Sequence, residues 1–186
     1  MSMTETLDVI GRRFSCRTFQ DTPVPADLLR TIAEAGVRAP SARNRQPWML
    51  TVISEKADVD EIGIAGLERL KVTDEPAYTR VMGRGGLLLY NAPTMIIISI
   101  EDIPGSFPPS LDAGIVASHV VLAATSLGVD SCIVAMPKVA FDEHGEGTLN
   151  AKYIPEGLDY AVGVLLGYSD TPGVPHETNR SKIIYM

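Results

Sequence analysis

The chain has 186 residues, 45% of them apolar and 21% charged, enough to bury one core unaided and too apolar for a disordered chain. Sixteen lysines and arginines stand against 23 acids, a net charge of −7, which argues against nucleic acid as a partner. Between positions 12 and 45, however, seven arginines stand against only Asp21, Asp27 and Glu34, a local excess suited to a small anion.

A first short helix is expected from Thr4 toward Ile10. Pro25 suits a first helical turn, and Leu28, Leu29, Ile32 and Ala33 keep three- and four-residue spacing up to Gly36, which fits a helix end. Ala39–Pro47 reads as a loop, Met49–Ser54 as a strand and Asp58–Leu70 as a weak helix. Lys71–Gly86 reads as irregular and charged, closing in Gly83-Arg84-Gly85-Gly86. That glycine run lacks the Gly-Lys-Ser/Thr ending of a phosphate loop and precedes a strand rather than a helix, so it reads as a turn. Ala92–Ile100 is the clearest strand, apolar without alternation and hence buried on both faces. Pro104, Pro108 and Pro109 mark a loop. Leu111–Leu127 is a helix apolar nearly all round, which predicts a buried central helix closed by Gly128. Cys132–Met136 and Tyr160–Tyr168 read as further strands, and the last eighteen residues show no period. Strands and helices mix without regular alternation, so the fold class is α+β and residues 1–186 form a single domain.

Cys16 and Cys132 form no CxxC pair, and His119, His144 and His176 lie far apart. Neither a disulfide framework nor a metal centre is legible. His119 is expected in the core and His144, beside Glu143 and Glu146, at the surface. The longest apolar runs fall short of the roughly 18–20 residues that span a bilayer. The N-terminus lacks a signal-peptide pattern. A cytoplasmic protein without a membrane partner is expected.

Two segments carry chemistry. Arg13-Phe14-Ser15-Cys16-Arg17-Thr18-Phe19 places two arginines four apart around a serine, donors that suit a phosphate. On charge alone the favoured reading is a solvated basic edge with Phe14 and Phe19 packed inward. Ala39-Pro40-Ser41-Ala42-Arg43-Asn44-Arg45-Gln46-Pro47-Trp48 is rich in small residues that let backbone approach a ligand. Asn44 and Gln46 each offer a donor and an acceptor, as a heterocycle with imide edges requires. Taken alone, the segment reads first as a plain helix-to-strand connector with Trp48 in the core. No Ser-His-Asp set or carboxylate pair stands out, so no catalytic acid or base is assigned.

Together these segments resemble the opening of the FMN-dependent nitroreductase family: Arg-x-Ser-x-Arg-x-Phe, then an amphipathic helix, then Ala-Pro-Ser-Ala-x-Asn-x-Gln-Pro-Trp. Asn91-Ala92-Pro93 before a hydrophobic strand, the helix from Asp112 to Gly128, and Ile154-Pro155-Glu156-Gly157 before Val162–Tyr168 extend the resemblance over most of the chain. It implies a compact member with a nitroreductase-like fold. That fold has a mostly antiparallel central sheet flanked by helices and is dimeric, with a buried central helix. It implies FMN held at a homodimer interface. Arg13, Phe14 and Ser15 would hold the phosphate, joined by Arg180. Arg17 would sit at the flavin pyrimidine edge, and Ala135 and Met136 would form the turn facing N5. Pro40, Ser41, Ala42, Asn44 and Gln46 would line the ring from the other subunit. The implied reaction takes hydride from NAD(P)H onto flavin N5 and passes it by a ping-pong cycle to a nitro-aromatic, a quinone or a similar small acceptor. The alternatives are a flavin-binding protein without NAD(P)H turnover, and a specialised reaction on the same fold such as flavin fragmentation or reductive dehalogenation. Larger members hold the pyrimidine ring with an Asn-x-x-Lys that this chain lacks; Arg69 and Lys71 are the cations in that stretch.

Overall fold

The unbroken apolar run is strand β2, Thr94–Ile100, and all seven of its residues are buried in the computed structural model, which describes residues 4–101, 108–141, 148–171 and 173–186. Pro104 and His144, with its acidic neighbours, lie outside the described residues. β2 pairs with β1 (Trp48–Ile53) on one side and β4 (Asp159–Gly167) on the other. β3 (Asp130–Val134) closes the order β1-β2-β4-β3. Every pairing among the described residues is antiparallel. Side chains alternate along a strand, so β2 sends Met95 and Ile97 into one apolar cluster and Ile96, Ile98 and Ile100 into another.

The helices divide between these faces. α2 (Ala26–Gly36) and α5 (Pro109–Ser126) cover the Ile96 side, with α1 (Glu5–Arg12) on α5. α3 (Lys56–Thr73), α4 (Glu75–Met82) and the Tyr153 end of α6 (Thr148–Tyr153) cover the Met95 side. Gly36 lets α2 approach α5: a Cβ there would lie 2.7 Å from Val120 Cγ2 and 3.0 Å from Leu50 Cδ2. α5 buries Ala113, Val116, Ala117, Val120, Val121 and Ala124, while Leu111, Gly114 and Ser118 are exposed. The helix read as apolar all round is therefore buried along one side of the single chain and open along the other. His119 is half-buried, its Nδ1 3.0 Å from the Ile115 carbonyl.

Three local expectations are corrected, and one helix, α6, was not expected. The stretch 71–86 is helical for most of its length, because α3 continues to Thr73 and α4 restarts at Glu75. The restart is built from an Asp74 carboxylate accepting the Ala77 N–H at 3.0 Å and from Pro76 in the first turn, a capping signal hidden inside a charged run. α6, six residues long, is too short to show a period; it is tied to α3 instead. Lys152 Nζ lies 2.8 Å from both Asp58 Oδ1 and Glu61 Oε2, and the Tyr153 hydroxyl donates to Glu61 at 2.8 Å. β3 ends at Val134 rather than Met136, and Pro137, which has no N–H to give a ladder, sits in a 3-10 turn over Met136–Ala140. The chain end holds a 3-10 turn at Arg180–Lys182, capped by Asn179.

Candidate functional site

Arg12 closes α1 with a 2.6 Å ion pair to Asp8, and at Arg13 the backbone leaves the helix in an extended conformation (φ −59, ψ 131). The segment then runs beside β3, where the Cys16 N–H donates to the Ser131 carbonyl at 2.9 Å. Phe14 and Cys16 pack into the Met95-side cluster. Arg13 and Ser15 stay half-buried and Arg17 is exposed. The edge strand thus holds the segment so that its cations face outward.

These cations are poorly neutralised. Among the described residues, the guanidinium of Arg13 reaches His176 Nδ1, at 3.5 Å, and that of Arg17 reaches the Ser15 carbonyl, at 3.5 Å. Neither has a carboxylate partner among the described residues. A third arginine joins them. Arg84, from the glycine run between α4 and β2, donates to the Tyr90 hydroxyl at 2.9 Å and lies 4.9 Å from the Tyr90 ring centroid. Tyr90 accepts the Phe19 N–H at 3.3 Å, and Asn91 donates to the Phe19 carbonyl at 3.3 Å and to Asp21 at 2.9 Å. Both Tyr90 and Asn91 have left-handed backbones, φ 54 and 64, uncommon for residues with side chains. Sequence reasoning gave Arg84 no part in the site; its only signal was the glycine run around it.

Burial raises the Cys132 thiol pKa, the largest influence on it; Arg17, Arg13 and Arg84 all act on it in the opposite direction. Cys16, 2% exposed, is likewise raised, chiefly by burial. The cation beside Cys16 in sequence therefore does not make it a reactive thiol.

Ala135 and Met136 follow β3 directly. The Tyr160 hydroxyl donates to the Val134 carbonyl at 3.0 Å and so fixes the backbone just before this turn. Beside it opens a cavity of about 660 Å³, whose lining includes Arg69, Ala135, Met136, Lys138 and Tyr160. Arg69, the cation offered in place of the missing Asn-x-x-Lys, is thus at this cavity. Lys71 is exposed on α3 and lies outside the cavity's lining.

The second predicted segment is built separately. The Ser41 carbonyl accepts the Asn44 N–H at 3.0 Å, Ser41 Oγ accepts the Gln46 N–H at 2.9 Å, and Gln46 Nε2 donates to Asn44 Oδ1 at 3.1 Å. Arg43, Asn44 and Gln46 have φ of 57, 54 and 48. The loop is held in one shape with Pro40, Asn44 and Gln46 exposed and Ser41 and Ala42 half-buried. Its flanks, Ala39 and Trp48, anchor it in the Ile96-side cluster, the face opposite Phe14 and Cys16. No hydrogen bond or ion pair joins this loop to Arg13–Arg17 among the described residues. Arg180 is exposed in its turn and is not bonded to Arg13 or Ser15 among the described residues. The C-terminal segment does return to the site, but at Gly173, which lies close against the Phe14 ring, and at His176.

The sequence from 10 to 178 matches the model of the nitroreductase family. The chain is 38% identical to a nitroreductase with bound FMN from Desulfitobacterium hafniense DCB-2, each chain fully covered at a TM-score of 0.91. It is 27% identical to one with bound FMN from Bacteroides fragilis NCTC 9343, with 99% of each chain covered at a TM-score of 0.85. A 4-nitrobenzoate reductase from Nocardioides sp. strain LMS-CY is 26% identical, with 96% of this chain and 87% of that protein covered.

Proposed function

The chain belongs to the nitroreductase family, and from that premise we propose that it is an FMN-dependent oxidoreductase that takes hydride from NAD(P)H and delivers it to a nitro-aromatic, quinone or similar small acceptor. The observation that carries this reading is the group of arginines beside β3 that have no carboxylate partner among the described residues, in a protein of net charge −7. Such a cluster costs stability unless an anion joins it, and the phosphate and the reducible ring of FMN supply the missing charge at its two ends.

Bound FMN supplies the chemistry, a ring that accepts hydride at N5 and releases it to a second substrate. Arg13, with the backbone at Phe14 and the hydroxyl of Ser15, binds the phosphate through charge-assisted contacts. Arg17 stabilises negative charge at the pyrimidine edge, which favours the reduced cofactor. The turn at Ala135 and Met136, steadied through Tyr160, presents backbone to the reacting edge. The neighbouring cavity of about 660 Å³ falls within the size of sites that take small aromatic molecules.

Pro40, Ser41, Ala42, Asn44 and Gln46 act from a second copy of the chain. Their flanks are anchored on the face opposite Phe14 and Cys16, which supports a contribution from a paired chain. The open side of α5 supports this pairing, as does the shallow apolar groove between α1 and α5 lined by Val9, Ile10, Leu122 and Ala123. Arg180 joins the phosphate in the same assembly.

The test is the visible spectrum of the purified protein with FMN, before and after anaerobic NADH or NADPH. Bands that bleach and then return on adding a nitro-aromatic or a quinone are expected. Bound flavin that neither nicotinamide bleaches would overturn the reductase reading in favour of a flavin-binding protein without turnover.

A further inference from the structure

The flavin pyrimidine contact that larger relatives make with an Asn-x-x-Lys needs a substitute in this chain, and the substitute is not the nearest cation in sequence. Arg69 lines the cavity beside Ala135 and Met136 and is not among the arginines that act on the buried Cys132 thiol, which are Arg13, Arg17 and Arg84. Arg84 lies within the cluster, and the way it is held is specific. The α4 end is wound tightly, with Arg84 and Gly86 N–H groups both donating to Val81 and Gly85 to Met82. Gly85 and Gly86 turn the chain at φ 101 and 73, conformations that glycine adopts without strain. The guanidinium then meets Tyr90 twice, by a hydrogen bond to its hydroxyl and by lying over its ring. Tyr90, with a left-handed backbone, is itself tied to the segment that carries Arg17, its carbonyl accepting the Phe19 N–H while the neighbouring Asn91 donates to the Phe19 carbonyl. Strained backbone of this kind is concentrated at ligand clamps. No carboxylate neutralises Arg84 among the described residues, although Glu and Asp outnumber Lys and Arg in the chain.

We propose that Arg84 is a direct contact of the bound FMN, a cation at the ring edge beside Arg17, and that Tyr90 is the residue that positions it. The inference rests on FMN binding as read above. Its consequence is electrostatic: a cation held at the ring edge favours the reduced cofactor, which carries more negative charge than the oxidised one. Arg84 thereby sets the reduction potential as well as adding affinity. The glycine run is the device that brings the arginine round the end of α4.

The test uses the full chain reconstituted with FMN, comparing wild type, Arg84→Ala, Arg84→Gln, Arg84→Lys and Tyr90→Phe. The readouts are FMN affinity by fluorescence quenching and the midpoint potential by dye-linked titration. Arg84→Ala and Arg84→Gln are expected to bind oxidised FMN several-fold more weakly and reduced FMN about tenfold more weakly still, which lowers the potential by about 30 mV for a two-electron couple. Arg84→Lys should recover most of the potential. Tyr90→Phe, which keeps the ring and loses the hydroxyl, should give an intermediate shift. Arg84→Gln retains a hydrogen-bonding head for Tyr90, so it reports on charge even if the alanine variant loosens the loop. Unchanged affinity and potential in a folded Arg84→Gln protein, alongside wild type that binds FMN, would overturn the assignment of Arg84 alone. Wild type that binds no FMN would overturn the cofactor reading on which it stands.

Discussion

Arg13 and Arg17 sit four residues apart beside β3, and their environments differ. Arg13, half-buried, has one weak neighbour among the described residues, His176; a phosphate bound there would be held by charge-assisted bonds worth roughly 1.5–3 kcal/mol. Arg13→Ala is expected to weaken FMN binding on the order of 10–100-fold, measured by titrating apoprotein with FMN. Arg17→Ala should instead lower the flavin potential more than it lowers affinity, and equal potentials in the two proteins would remove Arg17 from the ring. Both arginines were legible in sequence because the motif is contiguous, and the extended segment beside β3 keeps them adjacent. Arg84 was not, because its place depends on Tyr90, whose left-handed backbone no local composition announces. The link from Arg13 to His176 spans 163 positions and leaves no sequence signal at all.

At the scale of elements, stability depends on how helices begin and on what ties them down. α4 starts at Asp74, whose side chain takes up the Ala77 N–H. Asp74→Ala should cost about 0.5–2 kcal/mol, read from urea unfolding, with Asp74→Asn losing much less. α6 is held through Lys152, Tyr153, Asp58 and Glu61. Hydrogen bonds from Lys152, the largest influence, and from Tyr153 hold the Asp58 and Glu61 carboxyls below their usual pKa values. A lowered folded-state value stabilises the structure above the unfolded pKa and is lost as pH falls below about 4. Amide exchange in α6 should therefore accelerate between pH 5 and 3, corrected for intrinsic rates, and Lys152→Ala should remove that dependence. These groups are exposed, so the effect on global unfolding is small. β2, α2 and α5 were readable because their burial imposes a clear pattern. α4 and α6 were not, since a half-exposed or six-residue helix barely disturbs the periodicity of its sequence.

For the molecule as a whole, a ligand that binds only the folded state raises apparent stability by mass action. FMN at about 100 times its dissociation constant should add about 2.7 kcal/mol, visible as a concentration-dependent rise in Tm that riboflavin, lacking the phosphate, reproduces poorly. The α+β class was recoverable from the order of elements and the family from two short motifs. The placement of the two motif segments against opposite faces was not, because it exists only once the sheet has formed. That arrangement has a further effect. The sheet separates two apolar clusters, one on the side of α3 and α4 and the other on the side of α2 and α5. Changes on the two sides have few shared neighbours, and distant substitutions combine nearly additively. A lineage built on this sheet can exchange residues around the cavity at Met136 while the layer that carries α5 stays constant. Substitutions around that cavity then leave the packing of α2 on α5 undisturbed.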